Sequence, residues 1–137
     1  MKVVIDGTPF AKQRPRFTKV GNFVKTYTPV ETNNYENWVK MCYRQQVGQM
    51  MFKEDEPLMV VITAYFSVPK SWSKKNKERA LKNEVVPTNA KDVDNIAKII
   101  LDALNGIAYL DDHFITDLIV SKRYSDTPRV EVTINTL

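Results

Sequence analysis

The polar and apolar positions of this 137-residue chain alternate between two periods. Lys2 to Asp6 is a short β-rich run closed by Gly7. Arg16 to Tyr27 carries the β-formers Phe17, Phe23, Val24 and Tyr27 on either side of Gly21-Asn22, which predicts a hairpin. The more usual turn order is Asn before Gly. The period then lengthens. Thr32 or Asn33 is placed to cap a helix with Glu36 soon after, and Tyr35, Trp38, Val39, Cys42 and Tyr43 follow at helical spacing before Gly48. Pro57 precedes Leu58 to Val68, apolar almost throughout, which predicts a central strand covered on both faces and ended by Pro69. Ser73 is expected to cap a short basic helix over Lys74 to Leu81, and Val85-Val86 before Pro87 reads as extended. Asn95 to Asn105 is the clearest helix: Ile96, Ile99, Ile100, Ala103 and Leu104 form one stripe, with Gly106 at the stop. Ile115 to Arg123 and Arg129 to Ile134 alternate like paired strands about Ser125-Asp126-Thr127-Pro128. The order predicts the α+β class, an α/β two-layer sandwich with helices packed on a mixed β-sheet, as a single domain over residues 1–137.

Composition narrows the chemistry. With 43% hydrophobic and 26% charged residues the chain is globular, not disordered. Its apolar runs are too short to span a bilayer, and the start MKVVIDGTPF lacks a signal-peptide core, so a cytoplasmic location is expected. Cys42 is the sole cysteine and His113 the sole histidine. An intrachain disulfide, a multi-cysteine zinc site and a multi-histidine site are therefore excluded. Any metal must be held mainly by oxygen, which suits magnesium, manganese or calcium. The net charge of +4 favours a polyanionic partner only weakly. The distribution says more. Lys12, Arg14, Arg16, Lys19 and Lys25 form one basic group, and Lys70, Lys74, Lys75, Lys77, Arg79 and Lys82 another. The acids gather later, at Asp92, Asp94, Asp102, Asp111, Asp112 and Asp117.

Lys91-Asp92-Val93-Asp94-Asn95, then Lys98, then Asp111-Asp112 is the informative stretch. In an extended segment Asp92 and Asp94 share a face, about 7 Å apart along the chain. A divalent cation fits between them, since hydrated magnesium needs only one or two protein carboxylates. Lys98 lies one turn beyond Asp94 on the same helix face. A turn back after Ile107 to Leu110 would bring Asp111 and Asp112 to the first pair. The plainer alternative is structural: Asp94 or Asn95 as a helix cap, Asp111-Asp112 as an exposed turn, and Lys98 with Asp102 as a surface ion pair.

Asp92-Val93-Asp94-Asn95-Ile96-Ala97-Lys98, the Leu101-Asp102-Ala103-Leu104 helix and the Asp111-Asp112 turn together resemble the RusA-type Holliday junction resolvases. The likeness is strongest from Pro87 to Leu137, and Arg14-Pro15-Arg16-Phe17 is similar to the R-P-R segment of many members. The resemblance implies a homodimeric endodeoxyribonuclease, dependent on Mg2+ or Mn2+, that resolves four-way DNA junctions in recombination and repair. It implies no small-molecule cofactor. By motif position it makes Asp92, Asp94, Lys98 and Asp112 catalytic, with metal held by Asp92, Asp94, Asp111 and Asp112. A nuclease for other branched or flap DNA, and a DNA-binding module without catalysis, are the alternatives.

Arg14, Arg16, Lys19, Lys74, Lys75 and Lys77 are candidate DNA contacts. Against that, Lys74 to Lys82 is equally an ordinary solvated helix face. The hairpin either presents Phe17 and Phe23 as an apolar wedge or uses them to close the core. His113 reads as a turn residue and Cys42 as a core thiol.

Overall fold

A computed structural model describes residues 1–137. Six strands and three helices follow one another as β1 (Lys2–Asp6), β2 (Arg16–Val20), β3 (Phe23–Tyr27), α1 (Val30–Gln46), β4 (Leu58–Ser67), α2 (Lys74–Leu81), α3 (Val93–Leu104), β5 (Ile115–Ser125) and β6 (Arg129–Thr136). A 3-10 turn over Asp112–Phe114 leads into β5. The main sheet has the order β1-β6-β4-β5, and β2 and β3 form a separate two-stranded sheet. This is the expected α+β arrangement of a mixed sheet with helices on it.

Strand β4 pairs antiparallel with β6 and parallel with β5. A parallel neighbour requires a crossover, and the segment carrying α2 and α3 supplies it. The strands β5 and β6 are therefore not a hairpin, contrary to the alternating pattern's suggestion: β4 lies between them. Their connection passes over the end of β4. Arg129 holds it there, donating to the Thr127 carbonyl (2.8 Å) and the Ser125 hydroxyl (3.0 Å) while lying over the Tyr65 ring (4.0 Å). A sequence pattern reports alternation within a strand and not which strand sits beside it.

The core lies on one side of the sheet. Leu58, Val60, Ile62 and Ala64 alternate along β4 and are fully buried, with Val3 and Ile5 from β1 and Val130, Val132 and Ile134 from β6. Helix α1 contributes Val39, Cys42 and Tyr43, and α3 contributes its stripe of Ile96, Ile99, Ile100, Ala103 and Leu104. Each large aliphatic side chain in that stripe stabilises the fold by about 1.5–3 kcal/mol relative to exposure. Met59, Val61, Thr63 and Tyr65, on the other face of β4, are only half-buried. The strand is central, as expected, but covered fully on one face only.

Two of the helices start earlier than the pattern predicts. Helix α1 begins at Val30 behind Pro29, and Thr32 is buried in its first turn with its hydroxyl donating to the Gln13 side chain (3.0 Å), so it caps nothing. Helix α3 begins at Val93, two residues before Asn95. Helix α2 has the expected bounds, and Ser73 accepts from the Asn76 amide at 3.2 Å. Gly106, with φ of 77°, takes the left-handed conformation that ends the α3 region.

Across the exposed sheet face, Glu131 sits between Lys2 (2.6 Å) and Arg129 (2.8 Å). The hydrogen bond from Lys2, then that from Arg129 and both positive charges, hold the Glu131 carboxyl below its ordinary 4.5 against partial burial. A depressed folded pKa gives stability that is present above the ordinary 4.5 and lost as pH falls through the folded value. Thermal melts of wild type and Glu131→Gln should therefore differ at pH 7 and converge as pH falls below the ordinary 4.5 and through the depressed folded value. A gap that stays constant down to about pH 3 would contradict the ion-pair account.

Candidate active site

The first residues of α3 set the site. Val93 is already helical, so the extended segment expected through Asp94 ends at Asp92. Asp92 stays in extended backbone just outside the helix, and Asp94 lies inside its first turn. Asp92 occupies the N-cap position with extended backbone, yet its side chain makes no capping hydrogen bond. Asp94 accepts from the Asn95 amide at 3.0 Å. Both are exposed. The structural alternative gives the cap to Asp94 or Asn95, but the helix starts at Val93, so both lie inside its first turn, and Asp92 at the cap position makes no capping bond.

One turn on, Lys98 lies 3.6 Å from Asp102, and Asp102 also meets Lys12 at 3.3 Å. Lys12 in turn bonds Glu36 of α1. Burial alone would lower the pKa of Lys12. The hydrogen bond and charge of Glu36, joined by those of Asp102, outweigh it and hold Lys12 above its ordinary 10.5. The Lys12 amide donates to the Asn95 carbonyl at 2.9 Å, which docks the segment before Arg14 onto the start of α3. Lys12, Gln13, Arg14 and Pro15 face Asn95 and Lys98 across a small cleft of ≈ 170 Å³ lined by no hydrophobic residue.

The turn before β5 brings the second acidic pair to the far end of this network. Asp111 accepts from the His113 amide at 3.1 Å and lies 2.9 Å from the His113 ring. These hydrogen bonds, the amide's first, hold the Asp111 carboxyl low. Asp112 is held high, by partial desolvation first, then by the Asp111 hydrogen bond and charge and by the charge of Asp102, with Lys98 opposing. Buried Tyr109, which donates to the Leu101 carbonyl at 2.7 Å, is pushed up by burial and by the charges of Asp112, Asp102 and Asp111. Asp102, Asp111 and Asp112 are therefore electrostatic neighbours, with Lys98 among them.

None of the ion pairs in the structure takes Asp92, Asp94 or Asp112. Equally, no three histidine, cysteine, aspartate or glutamate side chains converge as a ready metal cage. The donors are all carboxylate oxygens, the chemistry that suits a hydrated divalent ion using one or two carboxylates and water. His113 is an exposed turn residue, and Cys42 is buried in the core, as expected.

The basic candidates separate into two places. Arg14 and Arg16 are exposed beside the cleft, and Lys19 lies on the β2–β3 hairpin. That hairpin turns at Gly21-Asn22, with Gly21 left-handed at φ of 59°. All ten strand residues are exposed, Phe17 at 71% and Phe23 at 78%. The alternative in which its phenylalanines close the core is overturned. Lys74, Lys75 and Lys77 lie on α2, which packs beside β5 and buries only Ala80, while Trp72 just before it meets Tyr124 edge-on at 5.3 Å. The sequence does not mark Lys12 and Glu36 as site members, because their partner Asp102 is far along the chain and no local pattern links them.

No helix is long and apolar enough to cross a membrane. The family model for endodeoxyribonuclease RusA matches residues 6–135. The chain is also 37% identical over 136 residues to the uncharacterized protein YqaN of Bacillus subtilis (strain 168), covering 98% of this chain and 94% of that one.

Proposed function

Because the chain belongs to the endodeoxyribonuclease RusA family, we propose that it resolves four-way DNA junctions by Mg2+- or Mn2+-dependent phosphodiester hydrolysis, as a homodimer acting in recombination and repair. The structural observation that supports this most is Asp92: it stands where a capping side chain belongs and does not cap. Asp94 and Asp112 are likewise outside every ion pair, and Asp94 begins the helix whose Asn95 and Lys98 line the cleft with Arg14. Carboxylates outside ion pairs keep their oxygens available, which is what a cation site needs.

Asp92, Asp94, Asp111 and Asp112 would hold the divalent ion. When bound, that ion neutralises phosphate charge and lowers the pKa of water. The chain's own contribution is positioning. Asp102, itself tied to Lys12, holds the Lys98 ammonium on the acid-bearing face of α3, where it can stabilise charge on a phosphate oxygen. Partial desolvation and the neighbouring Asp111 raise the Asp112 carboxyl from its ordinary 3.8, a repulsion that a bound cation would relieve. Arg14 and Arg16 fix the DNA backbone beside the cleft, and the hairpin offers Phe17 and Phe23 to bases exposed at the branch point. Lys74, Lys75 and Lys77 extend the grip along an arm.

The test is a panel of labelled four-way junction, flap and duplex of equal length, each with and without Mg2+. The junction should be cut and the duplex spared, in Mg2+ only. Preferential flap cleavage would favour the nuclease for other branched DNA. Binding to all with cleavage of none would favour the DNA-binding module.

A further inference from the structure

The two edges of the main sheet are treated differently. Strand β1 is covered: the Gln46 side-chain amide accepts from the Val4 amide (2.8 Å) and donates to the Val4 carbonyl (2.7 Å), and the Trp38 indole donates to the Asp6 carbonyl (2.9 Å). Helix α1 thereby occupies the positions a further strand would take. Strand β5, at the other edge, is eleven residues long and pairs only with β4. At its middle Leu118 is 43% exposed and Ile119 50%. Thr116 to Ile119 are exposed, and α2 packs against the far end of the strand near Tyr124, where Arg123 donates to the Lys122 carbonyl at 2.8 Å. A long open edge with exposed apolar side chains is a template for another strand, and proteins rarely leave one uncovered.

We propose that this edge pairs antiparallel with β5 of a second copy of the chain, joining two four-stranded sheets into one. This rests on the homodimer reading and names its surface. Antiparallel pairing about a two-fold axis normal to the sheet sets same-face residues opposite each other. Asp117 and Arg123 lie on one face, opposite Met59 and Tyr65 of β4. A register centred on Val120 sets each Asp117 against the second copy's Arg123, twice over, and Leu118 against the stem of Lys122. Opposite charges directly across an antiparallel pair stabilise it, and like charges there oppose it. The same axis keeps both helix layers on one side of the joined sheet. Both α3 helices, with their acids, then face one junction lying across the dimer.

The experiment is sedimentation equilibrium at micromolar concentration on wild type, Asp117→Arg, Arg123→Asp and the double variant Asp117→Arg/Arg123→Asp. Wild type should be dimeric. Each single variant, which sets like charges opposite, should weaken the dimer by about tenfold or more. The double variant should restore it, a rescue that misfolding of a single variant cannot mimic. Single variants that dimerise like wild type, a double variant that stays weak, or a monomeric wild type would each overturn the proposal. Junction cleavage by wild type in the same samples tests the nuclease reading separately. A cutting protein whose dimer ignores these substitutions keeps that reading and loses this surface.

Discussion

Replacing Asp92, Asp94 or Asp112 by asparagine is expected to lower junction cleavage in saturating Mg2+ by at least about 100-fold, while junction affinity in EDTA holds or tightens. The effect is electrostatic. Without a cation the acids repel one another and the approaching phosphate, so removing one charge relieves binding. Asparagine keeps the shape of each site but is a poorer ligand for a hard cation. The Asp92 side chain caps nothing and joins no ion pair, so Asp92→Asn should leave thermal stability unchanged. Lys98→Ala should also lose cleavage by about 100-fold, but it removes a positive charge, so binding should not tighten. Asp102→Asn should have a smaller effect, about 10-fold, because Asp102 acts by holding Lys98 and Lys12. Paired measurement of affinity in EDTA and rate in Mg2+ reads every one of these variants. Near wild-type rates for Asp92→Asn and Asp94→Asn would return both residues to the helix-terminus role.

Replacing Phe17 and Phe23 together by alanine should weaken four-way junction binding by roughly 10- to 100-fold, with little change for plain duplex and none in melting temperature. Base stacking on an aromatic side chain contributes about 1–3 kcal/mol. Neither ring is in the core, so the fold does not depend on them. The register of the hairpin puts Arg16, Phe23, Lys25 and Tyr27 on one face and Phe17, Lys19 and Val24 on the other. Both faces thus carry aromatic and basic groups, and an isolated two-stranded hairpin is marginal in water. Such an arm is completed by a partner that is both charged and stacked, as an opened branch point is. Arg14→Ala with Arg16→Ala should lower the slope of log affinity against log salt by about 2, one for each phosphate left without its arginine. Equal losses on junction and duplex for the phenylalanine pair would reduce the arm to a general grip on the backbone. A large fall in melting temperature would show the rings buttressing the body.

Local patterns carry most of the fold. The bounds of β1 and α2, the hairpin turn at Gly21-Asn22 and the buried stripe of α3 are all governed by neighbours within a few residues. Long-range packing decides the rest, and no local pattern reports it. The alternation in β5 and β6 is real, but β4 between them is a non-local choice. The start of α3 at Val93 matters most for the site, because it leaves Asp92 in extended backbone and puts Asp94 in the first helical turn. The acids and Lys98 are legible as a spaced motif. Lys12 is visible only as one more basic residue, since the Glu36 and Asp102 that fix it come from other elements.

Paired incision is the central claim, and a supercoiled plasmid carrying an extruded cruciform tests it most directly. One nick releases the supercoiling that holds the cruciform open, so a linear product requires two incisions within the life of a single complex. In Mg2+ the expected product is linear plasmid with symmetric cuts at the cruciform base, and Asp112→Asn should give none. A product that is solely nicked circle, or wild-type protein that binds the cruciform and leaves it uncut, would contradict paired incision.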